Sequence, residues 1–302
     1  MAITSSSFAK LLWPGLNSIY GKAYSEHSVE YTDLFDEFKS SRAYEEDLGV
    51  SSFGLASQKG EGNSIAYDEE QQAFLTRYSH VVYGLGFVIT REMVEDDQYG
   101  QVGDRRSRAL AFSMRQTKET VGANVYNRAF NSSYVGGDGL EMCSTAHLNY
   151  AGGTWANELT TAADLSEAAL EQACIDIMKF TNDRGLKISV MPQSLIIPSD
   201  LVFEAERILK SPYRVGTADN DINAIKQMGK FPGGIKVNHY LTDSDAWFIR
   251  TNVKDGLKCF NRRPMAFAVD NDFDTENAKF KATERYSFGW TDPRAIFGSP
   301  GA

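Results

Sequence analysis

The chain has 302 residues, of which 42% are hydrophobic and 24% are charged, and its formal net charge at pH 7 is −9. This composition is ordinary for a globular protein with a sizeable core, and the sequence holds neither the roughly 20 apolar residues of a membrane helix nor a secretion signal. Its three cysteines, Cys143, Cys174 and Cys259, are too widely spaced for a disulfide framework, so we expect a cytoplasmic protein.

The charge is distributed unevenly along the chain. Residues 1–100 contain 7 basic and 16 acidic side chains, whereas residues 101–302 contain 24 of each. An acidic chain is a poor general binder of nucleic acid, because contacts to phosphate need Lys and Arg. Residues 103–131 are the exception, with six basic side chains against two acidic ones. We interpret this basic stretch as a solvated face that pairs with acidic neighbours, and DNA contact is the alternative.

The first fifty residues predict an arm that packs on another surface. Aromatic side chains are scattered among many charges, and no strong helical or strand period would close a core. A short helix is predicted around Val29–Arg42.

A protruding hairpin follows the arm. Residues 51–65 (SSFGLASQKGEGNSI) are rich in Gly and Ser and predict a flexible tip, and Ala73–Thr90 predicts a strand. One face of this strand carries Tyr83, Leu85, Phe87 and Ile89. An isolated two-stranded hairpin is marginal in water, so this apolar surface needs a partner.

The pair Gly84 and Gly86 resembles the start of a nucleotide-binding loop. A dinucleotide fingerprint would need a third glycine where Ile89 stands, and the Gly-Lys-Ser/Thr of a P-loop occurs nowhere in the chain. We therefore predict that both glycines allow a neighbouring backbone or bulky side chain to approach closely.

The remaining two thirds of the chain predict a mixed body. Asp104–Asn131 reads as a long helix, residues 132–160 as a Gly-rich surface loop, and Ser166–Asn182 as a second helix. Strands are predicted further on, at Lys187–Met191, Ser194–Ile197, Ile235–Leu241, Ala246–Arg250, Leu257–Phe260, Met265–Val269 and Lys279–Trp290. Because helices and strands do not alternate, the class is α+β rather than a doubly wound sheet.

No catalytic or metal-binding pattern is evident. Cys143 and His147 lie four residues apart, but no second pair completes a zinc site and no base is positioned for a cysteine nucleophile. The carboxylate clusters read as solvated surface, and a serine-hydrolase elbow is absent from the sequence. The sequence therefore predicts no enzyme and no cofactor.

The order of segments resembles the major capsid proteins of tailed bacteriophages, specifically the Mu-like major head subunit family. The resemblance is carried by YGLGFVITREMVEDDQYG, by the loop GGDGLEMCSTAHLNYAGGTWAN and by the end RYSFGWTDPRAIFGSPGA. It implies the Hong Kong 97-type coat fold, with an N-arm, an E-loop that lies over a neighbouring subunit, a peripheral (P) domain of a long spine helix and long strands, and an axial (A) domain. The implied boundaries are N-arm 1–45, E-loop 46–90, P domain 91–182 with the spine helix 104–131, A domain 183–262, and return strands 263–302.

The resemblance implies a structural protein that self-assembles into the pentamers and hexamers of an icosahedral phage head around double-stranded DNA. It implies assembly in the host cytoplasm, residence in the virion, and portal, decoration and scaffolding proteins as partners. Because the arm begins close to Met1, we expect the scaffolding protein to be separate. An encapsulin-like nanocompartment shell and a soluble enzyme are the alternatives.

Candidate contact residues follow from this resemblance and from the weight of aromatic side chains in interfaces. Some relatives crosslink a lysine of the E-loop to an asparagine of a neighbour, which makes Lys59 a candidate, although an exposed lysine is usually just solvated. The subunit-contact candidates are Trp13, Phe35, Lys59, Tyr83, Leu85, Phe87 and Ile89. The basic candidates for facing the genome or a neighbour are Arg105, Arg106, Arg108 and Arg115.

Overall fold

A computed structural model describes residues 6–95, 99–149, 152–214, 221–272 and 277–302. The helices are α1 (Ser6–Glu26), α2 (Tyr31–Leu34), α3 (Arg91–Glu95), α4 (Tyr99–Asn127), α5 (Glu167–Met178), α6 (Val202–Lys210) and α7 (Ala224–Met228). The strands are β1 (Asp36–Lys39), β2 (Tyr44–Val50), β3 (Gln72–Ser79), β4 (Val81–Ile89), β5 (His147–Leu148), β6 (Thr154–Trp155), β7 (Pro192–Ile197), β8 (Ile235–Val237), β9 (Trp247–Thr251), β10 (Leu257–Asn271), β11 (Ala278–Trp290) and β12 (Ile296–Ser299).

The two longest strands form the centre of the first sheet, whose order is β1-β10-β11-β4. Strand β10 has 15 residues and pairs antiparallel with the 13 residues of β11. The sequence predicted two strands, Leu257–Phe260 and Met265–Val269, where the structure has β10 alone. The ladder continues because two register shifts, between Asn261 and Arg263 and between Arg263 and Ala266, absorb the irregular segment around Pro264.

Helices α1 and α4 pack together and cover this sheet. The core between them consists of Leu16, Tyr20, Ala23, Leu110, Ala111 and Met114 from the helices and Phe267, Phe280 and Ala282 from the strands. The sequence predicted the start of α4 at Asp104 and did not predict α1, whose apolar residues lack a strong period. Among the described residues, no helix has the length and hydropathy to cross a membrane.

The segment after α1 joins the core, where the sequence predicted an arm and one helix over Val29–Arg42. It forms the short helix α2 and the strand β1, which runs parallel to β10. Phe35 is buried between them, with its ring centroid 5.7 Å from Tyr126 and 5.0 Å from Phe288. The prediction of Phe35 as a subunit contact is therefore wrong, because its own chain already covers the ring.

The glycines of β4 have the structural role that the sequence predicted. A Cβ at Gly86 would lie 2.5 Å from the Phe280 carbonyl oxygen, and a Cβ at Gly84 would lie 3.0 Å from Thr283 Cγ2. Both contacts belong to β11, which pairs with β4 along its whole length. The absent side chains therefore allow β4 to close the edge of the sheet.

The second sheet has the order β12-β9-β7-β8 and packs against α5, α6 and α7. Its core contains the fully buried Trp247, Leu195 and Ile249. Ser166 caps α5 by accepting a hydrogen bond from the Ala169 N–H at 3.2 Å, so this predicted helix begins where expected and ends at Met178. The predicted strand Lys187–Met191 is reduced to an isolated bridge between Thr181 and Lys187, and β7 begins at Pro192.

The loop 132–160 was predicted to lie on the surface, and seven of its 27 described residues are buried. Asn157 is fully buried, and its Nδ2 donates to the carbonyl oxygens of Met142, Pro293 and Ile296 at 2.9, 3.0 and 3.3 Å. Its Oδ1 accepts from the Ser144 N–H at 2.8 Å and lies 3.0 Å from His147 Nε2. The Asn157 amide therefore joins the loop to the C-terminal segment. Local sequence patterns do not reveal this contact, because the two segments are far apart in the chain.

Replacing Gly86 by Ala is expected to lower the free energy of unfolding by about 1–3 kcal/mol, since the added methyl overpacks the β4–β11 ladder. Gly21→Ala in α1 is the control: no atom lies within 4 Å of its Cβ position, and the change should add about 0.5–1 kcal/mol through helix propensity. Urea titration of both variants measures the difference. An unchanged free energy of unfolding in Gly86→Ala would show that β4 and β11 can move apart to make room for the methyl group.

Candidate assembly surfaces

Strands β2 and β3 form a hairpin, which is a two-stranded sheet of its own and not part of either larger sheet. We call residues 44–79 the hairpin and residues 51–71 its loop. All residues from 61 to 70 are exposed. The loop leaves large apolar side chains in solvent, with Leu55 84% and Tyr67 94% exposed; the others are Phe53 and Ile65. Few monomeric proteins leave such a group uncovered, which indicates a contact surface.

One face of the hairpin is also apolar and exposed. The outer strip consists of Tyr44, Leu48, Val50 and Leu75, each of them between two fifths and three fifths exposed. Leu48 and Leu75 are directly opposite each other in the ladder. The guanidinium of Arg77 lies 3.7 Å from the ring centroid of Tyr44. The strip thus continues the apolar surface of the loop along the strands.

The other face of the hairpin is fastened to the first sheet. Asp47 forms an ion pair with Lys258 and accepts a hydrogen bond from Thr291 Oγ1 at 2.7 Å. Tyr78 is buried, with its hydroxyl 2.6 Å from Thr291 Oγ1 and its ring 4.9 Å from that of Phe260. The root of the hairpin therefore has a fixed orientation, although its outer strip has no cover within the described chain.

The loop is held to the body of the chain by an arginine clip. Arg184 Nη1 lies 3.1 Å from Asp68 Oδ1, and Nη2 donates to the Glu69 carbonyl oxygen at 2.6 Å. The Gly54 N–H donates to Asp68 Oδ2 at 2.8 Å. The Gly54 N–H, then the Glu69 N–H and Arg184, hold the pKa of Asp68 below its usual value. Local sequence patterns do not reveal this clip, because its members lie far apart in the chain.

The predicted contact residues of β4 are distributed over several environments. Tyr83 stacks on Tyr286 with centroids 4.8 Å apart, and Phe87 stacks on Phe280 at 4.9 Å. Ile89 is buried in the core, so the prediction that it contacts a neighbour is wrong. Leu85 is half exposed and, of the four, is the one most open to solvent. This strand offers a narrower surface than the sequence predicted.

Two more predicted contacts, Lys59 and Trp13, stay predictions. Lys59 lies in the exposed part of the loop, as expected from its Gly-rich surroundings. Trp13 is within α1, but its side chain lies outside the described residues. Neither position is decided by the structure as a subunit contact.

The basic stretch on α4 is partly a surface and partly core. Arg105 and Arg108 are exposed, and Arg106 donates to the Val88 carbonyl oxygen at 2.6 Å. Arg115 is buried, lies 4.2 Å from the Tyr24 ring centroid and donates to the Tyr24 carbonyl oxygen at 3.3 Å. The prediction that Arg115 faces the genome or a neighbour is therefore wrong, because α1 covers it.

Cys143 and His147 have structural surroundings. Burial raises the pKa of the Cys143 thiol well above its usual value, which disfavours a reactive thiolate. His147 is buried, with Nδ1 2.6 Å from Asp138 Oδ2 and its ring stacked on Trp155 at 4.9 Å. In the described part of the chain, no group of three or more His, Cys, Asp and Glu side chains could hold a metal ion.

Comparison with known proteins gives a consistent result. A family model described as "Phage capsid protein" matches residues 74–298. The chain resembles a solved structure from Mycobacterium phage Che8 with 12% identity and a TM-score of 0.53, covering 90% of each chain. It resembles the capsid of an empty GTA particle with 11% identity and a TM-score of 0.52, covering 91% of this chain and 92% of that one.

A third similar structure is a virus-like particle from Pyrococcus furiosus, with 10% identity, a TM-score of 0.50, and coverage of 94% of this chain and 97% of that one. No curated protein sequence matches the chain.

Removing the clip with Arg184→Ala is expected to speed amide exchange in residues 52–70 several-fold at neutral pH, with little change in overall stability, because exposed pairs contribute little. The folded-state pKa of Asp68 is lowered, so the clip is present above the ordinary carboxyl pKa and is lost as pH falls through the lowered value. Arg207→Ala, which removes an exposed pair with Glu204 on α6, is the control. Unchanged exchange in the loop of Arg184→Ala would contradict the clip.

Proposed function

The chain belongs to the phage capsid protein family, and from this premise we propose that it builds the icosahedral head of a tailed phage as pentamers and hexamers around double-stranded DNA. The observation that carries the proposal is the family match over residues 74–298. The fold is the Hong Kong 97-type coat fold predicted from the sequence, as the similar structures indicate. The chain is a capsid shell protein; the symmetry, the cargo and the Mu-like subgroup belong to the proposal.

We assign the domains of this fold as follows. The first sheet with α4 as spine helix forms the P domain, the second sheet with α5, α6 and α7 forms the A domain, and the segment containing α1 is the N-arm. The family resemblance implied an E-loop that ends at residue 90. We end it at Ser79, because β4 pairs with β11 inside the first sheet and cannot project with the hairpin.

The hairpin is the main tie between neighbouring subunits in this proposal. Its outer strip and the apolar side chains of its loop lie on an adjacent copy, since the described chain leaves them exposed. Burying one such side chain contributes about 1.5–3 kcal/mol. Several of them together, over an interface of about 1,600 Å², are sufficient for stable association. Leu85 on the edge of β4 extends the same contact.

In this proposal, charge complementarity fixes the relative position of neighbouring subunits more than it strengthens their binding. The loop carries Glu61, Asp68, Glu69 and Glu70 against Lys59. The exposed Arg105 and Arg108 are suited to an acidic neighbour or to the phosphates of the packaged DNA. We propose that these two arginines contact either a neighbouring subunit or the DNA.

The role is structural and non-enzymatic. The proposed partners are copies of the same chain, a scaffolding protein, a portal and decoration proteins, with assembly in the host cytoplasm and residence in the virion. An encapsulin-like nanocompartment shell is the second candidate, supported by the likeness to the virus-like particle. It is less favoured, because the matching family model is that of phage capsid proteins.

Electron microscopy of the purified protein tests the proposal. Large closed shells, which contain DNA when the protein is isolated from an infected host, are the expected result. Small uniform shells that enclose protein cargo would instead favour the nanocompartment. A protein that stays monomeric or forms small oligomers at all concentrations, by light scattering, would contradict both.

Leu48→Asp combined with Leu75→Asp is expected to abolish shells while leaving the isolated subunit folded, because the strip is already exposed there. Val29→Asp, which changes an exposed apolar residue outside the hairpin, is the matched control and should still assemble. Circular dichroism checks the fold, and sedimentation separates shells from subunits. Shells of normal size from the double variant would show that the strip is not a subunit contact.

Deleting Ser57–Asn63 shortens the loop without touching its root. The expected product is a folded subunit that forms no closed shells, since the tip of the tie is missing. Sedimentation and negative-stain images measure the result, with the full-length chain prepared in parallel. Normal assembly of the shortened chain would show that the contact with the neighbouring subunit is made only by the strip and the ends of the loop.

A further inference from the structure

A lysine, an asparagine and a glutamate meet beneath α1, away from the proposed contact surfaces. Lys118 is on α4, Asn261 is at the first register shift of β10, and Glu284 is on β11. Lys118 Nζ donates to Asn261 Oδ1 at 3.0 Å and lies 4.0 Å from Glu284 Oε2. Two of the three side chains are almost fully buried, with Lys118 8% and Glu284 2% exposed.

The surroundings of this group are aromatic but hold further polar groups, with the Tyr24 hydroxyl against Glu284. Lys118 Nζ lies 4.7 Å from the ring centroid of Tyr31 and 5.3 Å from that of Tyr286. Glu119, the neighbouring carboxylate on α4, accepts the backbone N–H of Tyr31 at 2.8 Å and so serves another donor. Burying an ammonium and a carboxylate in such a site carries a desolvation cost that the surrounding groups must offset.

A simple buried ion pair does not account for this arrangement. The ammonium of an ion pair would lie against the carboxylate, whereas Lys118 Nζ is 1 Å closer to the amide oxygen than to Glu284. Glu284 Oε1 is buried and makes no hydrogen bond within the described residues. A buried carboxylate oxygen without a partner is rare in native proteins and needs an explanation, of which a chemical role is one.

The orientation of the asparagine amide is fixed by a second contact. Asn261 Nδ2 donates to Glu37 Oε1 at 3.2 Å, and the same oxygen accepts the Tyr31 hydroxyl at 2.6 Å. Oδ1 is therefore turned toward Lys118, and the amino group is turned toward Glu37. Glu37 is exposed, so this side of the amide opens to solvent.

We propose that Lys118 and Asn261 form an intramolecular isopeptide bond, with Glu284 as the acid–base group. Lys118 gives one proton to Glu284, and its free electron pair attacks Cγ of Asn261. A new C–N bond forms, the bond from Cγ to Nδ2 breaks, and the amino group leaves as ammonia after taking a second proton from Nζ, which is bonded to the same tetrahedral carbon. The products are the amide link, one ammonia beside Glu37 and protonated Glu284, so atoms and charge balance.

The proposed bond is distinct from the lysine chemistry considered for the exposed loop. It lies within one chain and joins α4 to β10, so it needs no neighbouring subunit and does not depend on the proposed function. Positioning and a general acid–base group are sufficient for the reaction, because no oxidant, metal or cofactor takes part. The link would staple the long helix to the sheet that it covers.

Intact mass measurement of the folded full-length chain tests the proposal. The expected result is a mass lower than that of the encoded chain by one ammonia, together with a branched peptide joining Lys118 to Asn261 after proteolysis. Lys118→Arg and Glu284→Gln should retain the full mass and give no branched peptide. Asn131→Ala, at an exposed asparagine outside the site, should still lose ammonia.

Two outcomes would overturn the proposal. An unmodified mass in the folded protein after prolonged incubation at neutral pH would leave Lys118 and Glu284 as an ion pair. A loss of ammonia that persists in Lys118→Arg would point to cyclisation of an asparagine with its own backbone. Because the first measurement uses the unmodified sequence, a variant that fails to fold does not affect the decision.

Discussion

The antiparallel pairing of β10 with β11 is the constraint on which the rest of the structure depends. β1 joins one side of this ribbon and β4 the other, α1 and α4 cover one face, and the root of the hairpin is tied to it through Lys258 and Thr291. The end of β11 leads directly into the segment that Asn157 holds in place. The ladder thus lines the core beneath α1 and α4 and the core around Phe35, and a change in its register would displace the hairpin and the C-terminal segment together.

The surfaces that remain uncovered follow from this arrangement. A ribbon that already has partners on its edges and a helical layer on one face cannot also cover a hairpin that projects from it. The outer strip and the loop are therefore exposed by topology, and no local repacking would bury them. Leu48 and Leu75 are suited to a copy of the same chain because a symmetric shell supplies such a copy at a fixed position.

Sequence reasoning predicted the features that depend on neighbouring residues. The faces of β4, the need for Gly84 and Gly86, the cap at Ser166 and the existence of α4 all follow from spacing along a single element. Family resemblance added the architecture. Contacts between distant segments could not be predicted: Phe35 reads as an exposed aromatic until α2 is placed against Tyr126, and Arg115 reads as a surface charge until α1 covers it. Lys118 and Asn261, separated by 143 positions, share no local pattern.

The root and the loop of the hairpin are held to the body of the chain by different contacts. Asp47 and Tyr78 hold the two strands against the body, whereas the residues beyond Val50 are held to it by the contacts of Arg184 and by the hydrogen bond from Asn182 Nδ2 to Ser52 Oγ at 2.6 Å. In the proposed icosahedral shell, copies around fivefold and sixfold axes would meet their neighbours at different angles. In that shell, bending within residues 51–71 would absorb the difference in angle while the β10–β11 ribbon stays unstrained, so that one sequence would serve several curvatures.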